Sequence, residues 1–200
     1  MDWYEEEVSQ IEQAHRLAPP LPASIVFYGS SSFRLWGTLA EDMAPWPVIN
    51  RAFGGSTLAA CVHFFERLVP PCRPSSLVLY AGDNDLGDGQ SAQAVIASFY
   101  ALMRKIDAQL GPIPLAFVSI KPSPARQALR PAIITVNEAV RLALLARPRG
   151  LFIDIFQPML NRDGQPCPTL FAEDGLHLSP AGYHLWSQII HAYRLPLYEP

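Results

Sequence analysis

Four short segments of this 200-residue chain carry the side chains best suited to chemistry: Ser30-Ser31-Ser32, Gly54-Gly55, Gly82-Asp83-Asn84-Asp85 and Asp174-Gly175-Leu176-His177. Acyl transfer needs a nucleophile, a base to take its proton, a group that orients the base, and donors for the developing oxyanion. Serine, histidine, aspartate and an amide meet those needs in kind. Asp174 and His177 are three residues apart, so one turn brings them together and fixes the imidazole tautomer with Nε2 aimed outward. Gly55 offers a backbone N–H with no side chain in the way, and Asn84 offers a side-chain N–H.

Each segment has a plainer reading when taken alone. Three serines after a strand are commonly turn or cap residues, Gly54-Gly55 is turn punctuation, and Asp83-Asn84-Asp85 is a solvated turn. An EF-hand loop fails, because Gly87 falls where an oxygen ligand is needed and no glutamate closes the loop. The three cysteines, Cys61, Cys72 and Cys167, show no metal spacing. His15, His63, His184 and His191 read as structural or exposed. Arg34, Arg51, Lys121 and Arg126 read as solvated loop charges, with lining of a pocket mouth as the alternative.

The segments matter because of the elements that must position them. Ile25-Val26-Phe27-Tyr28 is a buried-strand run ending in Gly29 and the serines. Val48-Ile49-Asn50, Leu77–Ala81, Leu115–Ile120 and Leu151–Ile155 are further strands. Helical spacing places helices over residues 3–17, from Ser56 to Val69, from about Ser91 to Leu110, from near Pro131, and after Ser179-Pro180. Asp2 with Glu5 makes a capping box at the first. The pattern predicts an α/β fold: a flavodoxin-like, three-layer α/β/α sandwich on a five-stranded parallel sheet of order 2-1-3-4-5. One domain over residues 1–200 is expected, with residues 1–24 as an N-terminal helix and proline-rich lead-in. The weakly patterned stretch from Gln157 to Leu178 is long enough to imply a task.

Half of the residues are hydrophobic and 16% are charged, so a large core is expected. A net charge of -3 with scattered basic residues leaves no footprint for nucleic acid or anionic lipid. Glu5-Glu6-Glu7 stands where a signal peptide needs basic then apolar residues, and no apolar run is long enough to span a membrane. The sparse, odd cysteine count agrees with a reducing compartment, so a cytoplasmic location is expected. Oligomeric state is open at this level.

In their order and spacing the four segments resemble the motif blocks of the SGNH, or GDSL-like, hydrolases, a superfamily of serine esterases with a flavodoxin-like fold. Gly29-Ser30-Ser31 stands where that family has Gly-Asp-Ser, Asn50 to Gly55 is similar to its second block, Gly82-Asp83-Asn84-Asp85 to its third, and Asp174 to His177 to its fifth. The resemblance implies Ser31 as nucleophile, His177 as base and Asp174 as its partner. It implies an oxyanion hole from the N–H groups of Ser31 and Gly55 and the Asn84 amide, with no cofactor and a small-molecule ester as substrate. Ser30 replaces the family's aspartate, a motif residue outside the triad. Trp36, Trp46 and Phe171 hint at an apolar or sugar-stacking wall, with core packing as the favoured reading. Two other functions fit parts of the pattern. A flavodoxin-type module could cradle a phosphate on the serine-rich turn, and an acyltransferase could use the same site.

Overall fold

The computed structural model of the chain describes residues 1–193; residues 194–200, included in the expected domain, lie outside them. A 3-10 turn at Asp2–Tyr4 leads into α1 (Glu5–Leu17), then β1 (Ile25–Gly29), α2 (Ser31–Arg34), α3 (Leu39–Asp42) and β2 (Val48–Asn50). There follow α4 (Leu58–Leu68), β3 (Ser76–Tyr80), α5 (Asp83–Gly87), α6 (Ala92–Leu110) and β4 (Leu115–Val118). The described residues end with α7 (Arg130–Ala146), β5 (Gly150–Ile153) and α8 (Pro180–Ala192).

The five strands form one parallel sheet in the order β2-β1-β3-β4-β5. β1, β3 and β4 are buried along their whole length, as strands covered on both faces must be. Alternate residues feed two cores. Val26, Tyr28, Leu77, Leu79 and Phe117 pack with α4, α6 and α7. Phe27, Val78, Tyr80 and Val118 pack with Phe33 and Trp36 beside Trp186 and Ile190 of α8. Trp36 and Phe171 are core residues, at 2% and 7% exposed.

The sheet order and the five longer helices match the reading of the sequence; the short helices α3 and α5 replace a stretch read as loop and one read as turn, and the other corrections are local. Strands β4 and β5 stop short: the Ser119 N–H makes a last bond to the Ile153 carbonyl at 2.9 Å, and beyond it Ile120 turns away. The Ile120 N–H donates to Asn137 Oδ1 at 2.8 Å, and Ser119 Oγ accepts from the Ile155 N–H at 3.0 Å. The cap of α4 is Thr57, whose hydroxyl accepts from the Ala60 N–H at 3.1 Å, and not Ser56, which is fully buried. The Asp2–Glu5 capping box does not form, because the 3-10 turn runs straight into α1 and leaves no capped break between them. Ser179 caps α8 as expected, and Ser91, expected only as the approximate start of α6, caps that helix. Among the described residues, no helix is long and apolar enough to cross a membrane.

β1 and β3 lie side by side at the sheet's topological switch, where open α/β sheets collect their ligands. Gly29 makes the exit from β1 possible. Its φ is +140°, and a Cβ there would lie 1.9 Å from the Tyr80 carbonyl oxygen. The next residue continues the pairing, with the Ser30 N–H donating to that same oxygen at 2.9 Å. The serine cluster is thereby fixed on the C-terminal edge of the sheet.

Candidate active site

Of the three serines, only Ser31 is partly open to solvent; Ser30 and Ser32 are 2% and 1% exposed. Ser31 opens α2, and that short helix is held from outside: Asn50 at the end of β2 donates from Nδ2 to the Phe33 carbonyl at 2.6 Å. The same Asn50 accepts from the Ala52 N–H at 3.1 Å, so one side chain ties the second segment to the first.

The turn from Phe171 to Leu178 presents His177. It is closed by an antiparallel bridge between those two residues, both largely buried, and by the Ala172 N–H donating to the His177 carbonyl at 2.8 Å. Gly175 supplies the positive φ, +62°, that the turn requires. Asp174 sits inside it. Its Oδ1 accepts from the Leu176 and His177 N–H groups, both at 2.9 Å, and its Oδ2 contacts His177 Nδ1 at 2.5 Å. The Leu176 amide and then the imidazole lower the Asp174 carboxyl to about 2. An ionised Asp174 can only accept, so Nδ1 carries the proton and Nε2 is left to accept. It lies 3.2 Å from Ser31 Oγ.

Gly54 and Gly55 turn just beyond the end of β2, and Gly55 has a φ of +64°. The N-terminal segment braces this turn. The Gly54 N–H donates to Glu7 Oε2 at 2.8 Å and Tyr4 donates to the Gly55 carbonyl at 3.1 Å. Trp3 packs so close that a Cβ on Gly55 would come within 2.6 Å of its ring. Glu7 also pairs with Arg34.

Asn84 lies in the first turn of α5 and is half-buried. Its Nδ2 donates to the Ser56 carbonyl at 3.1 Å and its Oδ1 accepts from Arg126 Nη2 at 3.1 Å. The neighbouring aspartates form no solvated turn. Asp85 is fully buried and accepts from the Leu58 N–H with both oxygens, at 3.0 and 2.9 Å, at the start of α4. Burial pushes its carboxyl up to about 6. Asp83 is 3% exposed and meets Lys121 Nζ at 2.6 Å and Arg126 Nη1 at 2.7 Å. Burial favours the neutral acid, but the two cations outweigh it and hold Asp83 below its usual range.

Lys121 therefore corrects the reading of that residue as a solvated charge. It is 2% exposed, donating to Asp83, to Tyr80 Oη at 3.0 Å and to Ser32 Oγ at 3.2 Å. Arg126 is likewise committed to Asp83 and Asn84, and Arg51 is buried against Cys72. The signal for Lys121 was faint: a lysine at a strand's end beside Pro122 reads as a loop, and Asp83 is 38 residues away. Asn50, Glu7 and Tyr4 had no sequence signal for their roles.

The geometry thus brings Ser31, His177 and Asp174 into one hydrogen-bonded row. Asn84 is carried at the end of the neighbouring strand β3 and linked to the Gly54-Gly55 turn through Ser56. A phosphate cradle of three hydroxyls is not available, because Ser30 and Ser32 are buried and Ser32 is bonded to Lys121. A groove of about 440 Å³ is lined by Leu35, Thr38, Leu178 and Tyr183, and none of the three residues of the row lines it. Among the described residues, no group of three or more His, Cys, Asp or Glu is placed to hold a metal ion.

Residues 23–185 match the GDSL-like lipase/acylhydrolase family. No curated protein matches the chain. Among solved structures, a Streptococcus pneumonia protein named for platelet activating factor superposes with a TM-score of 0.82 at 20% identity, over 96% of this chain and 94% of its own. A GDSL-like lipase from Bacteroides thetaiotaomicron gives a TM-score of 0.79 at 19% identity, over 93% and 96%. A family 3 carbohydrate esterase of Clostridium thermocellum gives 0.69 at 17% identity, over 86% and 94%. At these identities the likeness is one of fold.

Proposed function

The chain belongs to the GDSL-like lipase/acylhydrolase family of SGNH hydrolases, enzymes that cleave ester-type bonds, and from that premise we propose that it hydrolyses carboxylic esters with Ser31 as nucleophile. The observation that carries the reading is the unbroken row Ser31 Oγ, His177 Nε2, His177 Nδ1, Asp174 Oδ2. Ser31 Oγ attacks the acyl carbon while His177 Nε2 accepts its proton, and Asp174 stabilises the imidazolium. The tetrahedral oxyanion is received by the N–H groups of Ser31 and Gly55 and by Asn84 Nδ2. Ser31 is well placed for this double part, since the first N–H groups of a helix have no acceptor within it. His177 then protonates the leaving alkoxide; it next takes a proton from water as that oxygen attacks the acyl carbon, and returns the proton to Ser31 Oγ as the acid departs. The products are the free acid and the alcohol.

No cofactor takes part in this scheme. Catalysis rests on positioning and on fixed donors, which together supply many kcal/mol of barrier lowering. The test is hydrolysis of p-nitrophenyl acetate by purified Ser31→Ala and His177→Ala proteins. The proposal expects losses of several orders of magnitude in each, and wild-type rates in either variant would remove it. Product analysis with an added acceptor alcohol separates hydrolysis from acyl transfer.

A further inference from the structure

We infer that Arg126 is a positioning residue for the reaction, acting through Asn84; the inference rests on the assignment of Asn84 as an oxyanion donor. A primary amide has one accepting and one donating end, and its usefulness depends on which end faces the substrate. Arg126 settles that orientation. A guanidinium can only donate, so Nη2, at 3.1 Å, holds the oxygen end of Asn84. The Ser56 carbonyl can only accept, and it holds the nitrogen end through one N–H at 3.1 Å. Reversing the amide would set donor against donor and acceptor against acceptor. One Nδ2 proton is thereby left for the oxyanion, and the charge on Arg126 polarises the amide, strengthening that donor.

Arg126 is itself fixed on two sides. Nη1 lies 2.7 Å from buried Asp83, which prevents the side chain from swinging to solvent. The guanidinium lies against Gly87, where an added Cβ would approach its Cζ to 2.6 Å. The loop that carries it also reaches the acid–base turn, since the Ala125 N–H donates to the Gly175 carbonyl at 3.0 Å. At its head, Lys121 bonds Ser32, the neighbour of the nucleophile, at 3.2 Å. A single stretch of chain, residues 121–126, thus touches the flank of each part of the row.

The test is a double-mutant cycle on ester hydrolysis. Arg126→Lys keeps a cation beside Asp83 but presents one ammonium in place of a two-armed fork, so it surrenders the bond to Asn84 while leaving the ion pair. It is expected to lower kcat by about tenfold with KM moved less than about threefold, the mark of an interaction made in the transition state. Arg126→Met, and Gly87→Ala, which pushes the guanidinium aside without touching Asn84, are expected to lower kcat in the same direction. In an Asn84→Ala background the same Arg126 substitutions should change kcat by less than about twofold, because the group they act through is gone. Equal fold-losses in the two backgrounds would overturn the inference while leaving the Ser31 mechanism untouched. An Asn84→Ala protein with wild-type kcat would overturn it together with the oxyanion role of Asn84.

Discussion

Ser31 Oγ and His177 Nε2 stand 3.2 Å apart although 146 positions separate them in the chain. Nothing local brings them together. Ser31 is delivered by the exit of β1, which Gly29 permits, and His177 by a turn whose two ends, Phe171 and Leu178, are anchored in the core beneath α8. Asp174 is local to His177, so the row itself requires this one long-range meeting, while Gly55 and Asn84 are brought up by β2 and β3.

The buried Asp83–Lys121 pair makes an asymmetric prediction about stability. Asp83→Asn leaves the Lys121 ammonium buried beside the Arg126 guanidinium with no counter-charge, a loss of about 3–5 kcal/mol. Lys121→Met leaves Asp83 still paired with Arg126, so it should cost less, and the double variant should recover part of the Asp83→Asn loss. Denaturant unfolding of the three proteins checks the order. An Asp83→Asn protein as stable as wild type would contradict it.

Asp85 gives the fold a pH dependence of definite sign. Burial raises its folded-state carboxyl to about 6, above its value in the unfolded chain. Between about pH 4 and pH 6 the folded protein holds this proton more tightly than the unfolded one, so stability falls as pH rises through that window and is level above it. The ceiling on the effect is about 3 kcal/mol, since each pH unit between the folded and unfolded titrations is worth about 1.4 kcal/mol. Asp85→Asn keeps an oxygen for the Leu58 N–H and should remove the slope. Chemical denaturation at pH 4.5 and 6.5 measures it, and parallel pH profiles for the two proteins would count against it.

Asp174 moves the other way. Two backbone N–H groups and the imidazole favour its charged form and bring its carboxyl to about 2. Its stabilising contribution is therefore complete above about pH 4 and disappears as pH falls through 2. A carboxyl ¹³C NMR titration should place the midpoint near 2, and a midpoint near 4 would mean that the turn around Gly175 does not hold the carboxylate. Asp174→Ala should reduce turnover less than loss of Ser31 or His177, because it orients the base without itself bonding the substrate.

The sheet order was readable because β1, β3 and β4 are buried apolar runs and the helical patterns between strands imply parallel crossovers. Gly29, Gly82 and the caps Ser91 and Ser179 punctuate the chain where their conformations demand it. Ser31 could be anticipated from its place at a strand end, where a parallel sheet gathers its ligands, and Asp174 and His177 from their spacing in the long stretch after β5, with the pairing of Ser31 with His177 supplied by the resemblance to the SGNH blocks. The polar layer beneath was not readable. Lys121, Asp83 and Arg126 each look like loop charges in one dimension, and only the fold makes them mutual partners. The brace from Glu7 to Gly54 was hidden for the same reason, since the two are 47 positions apart.

The central claim is that the hydroxyl of Ser31 is the group activated by His177, and covalent labelling tests it most directly. A fluorophosphonate probe followed by peptide mapping should place the adduct on Ser31, with labelling abolished in Ser31→Ala and strongly slowed in His177→Ala. An adduct on another residue, or labelling of Ser31→Ala at the wild-type rate, would contradict the account.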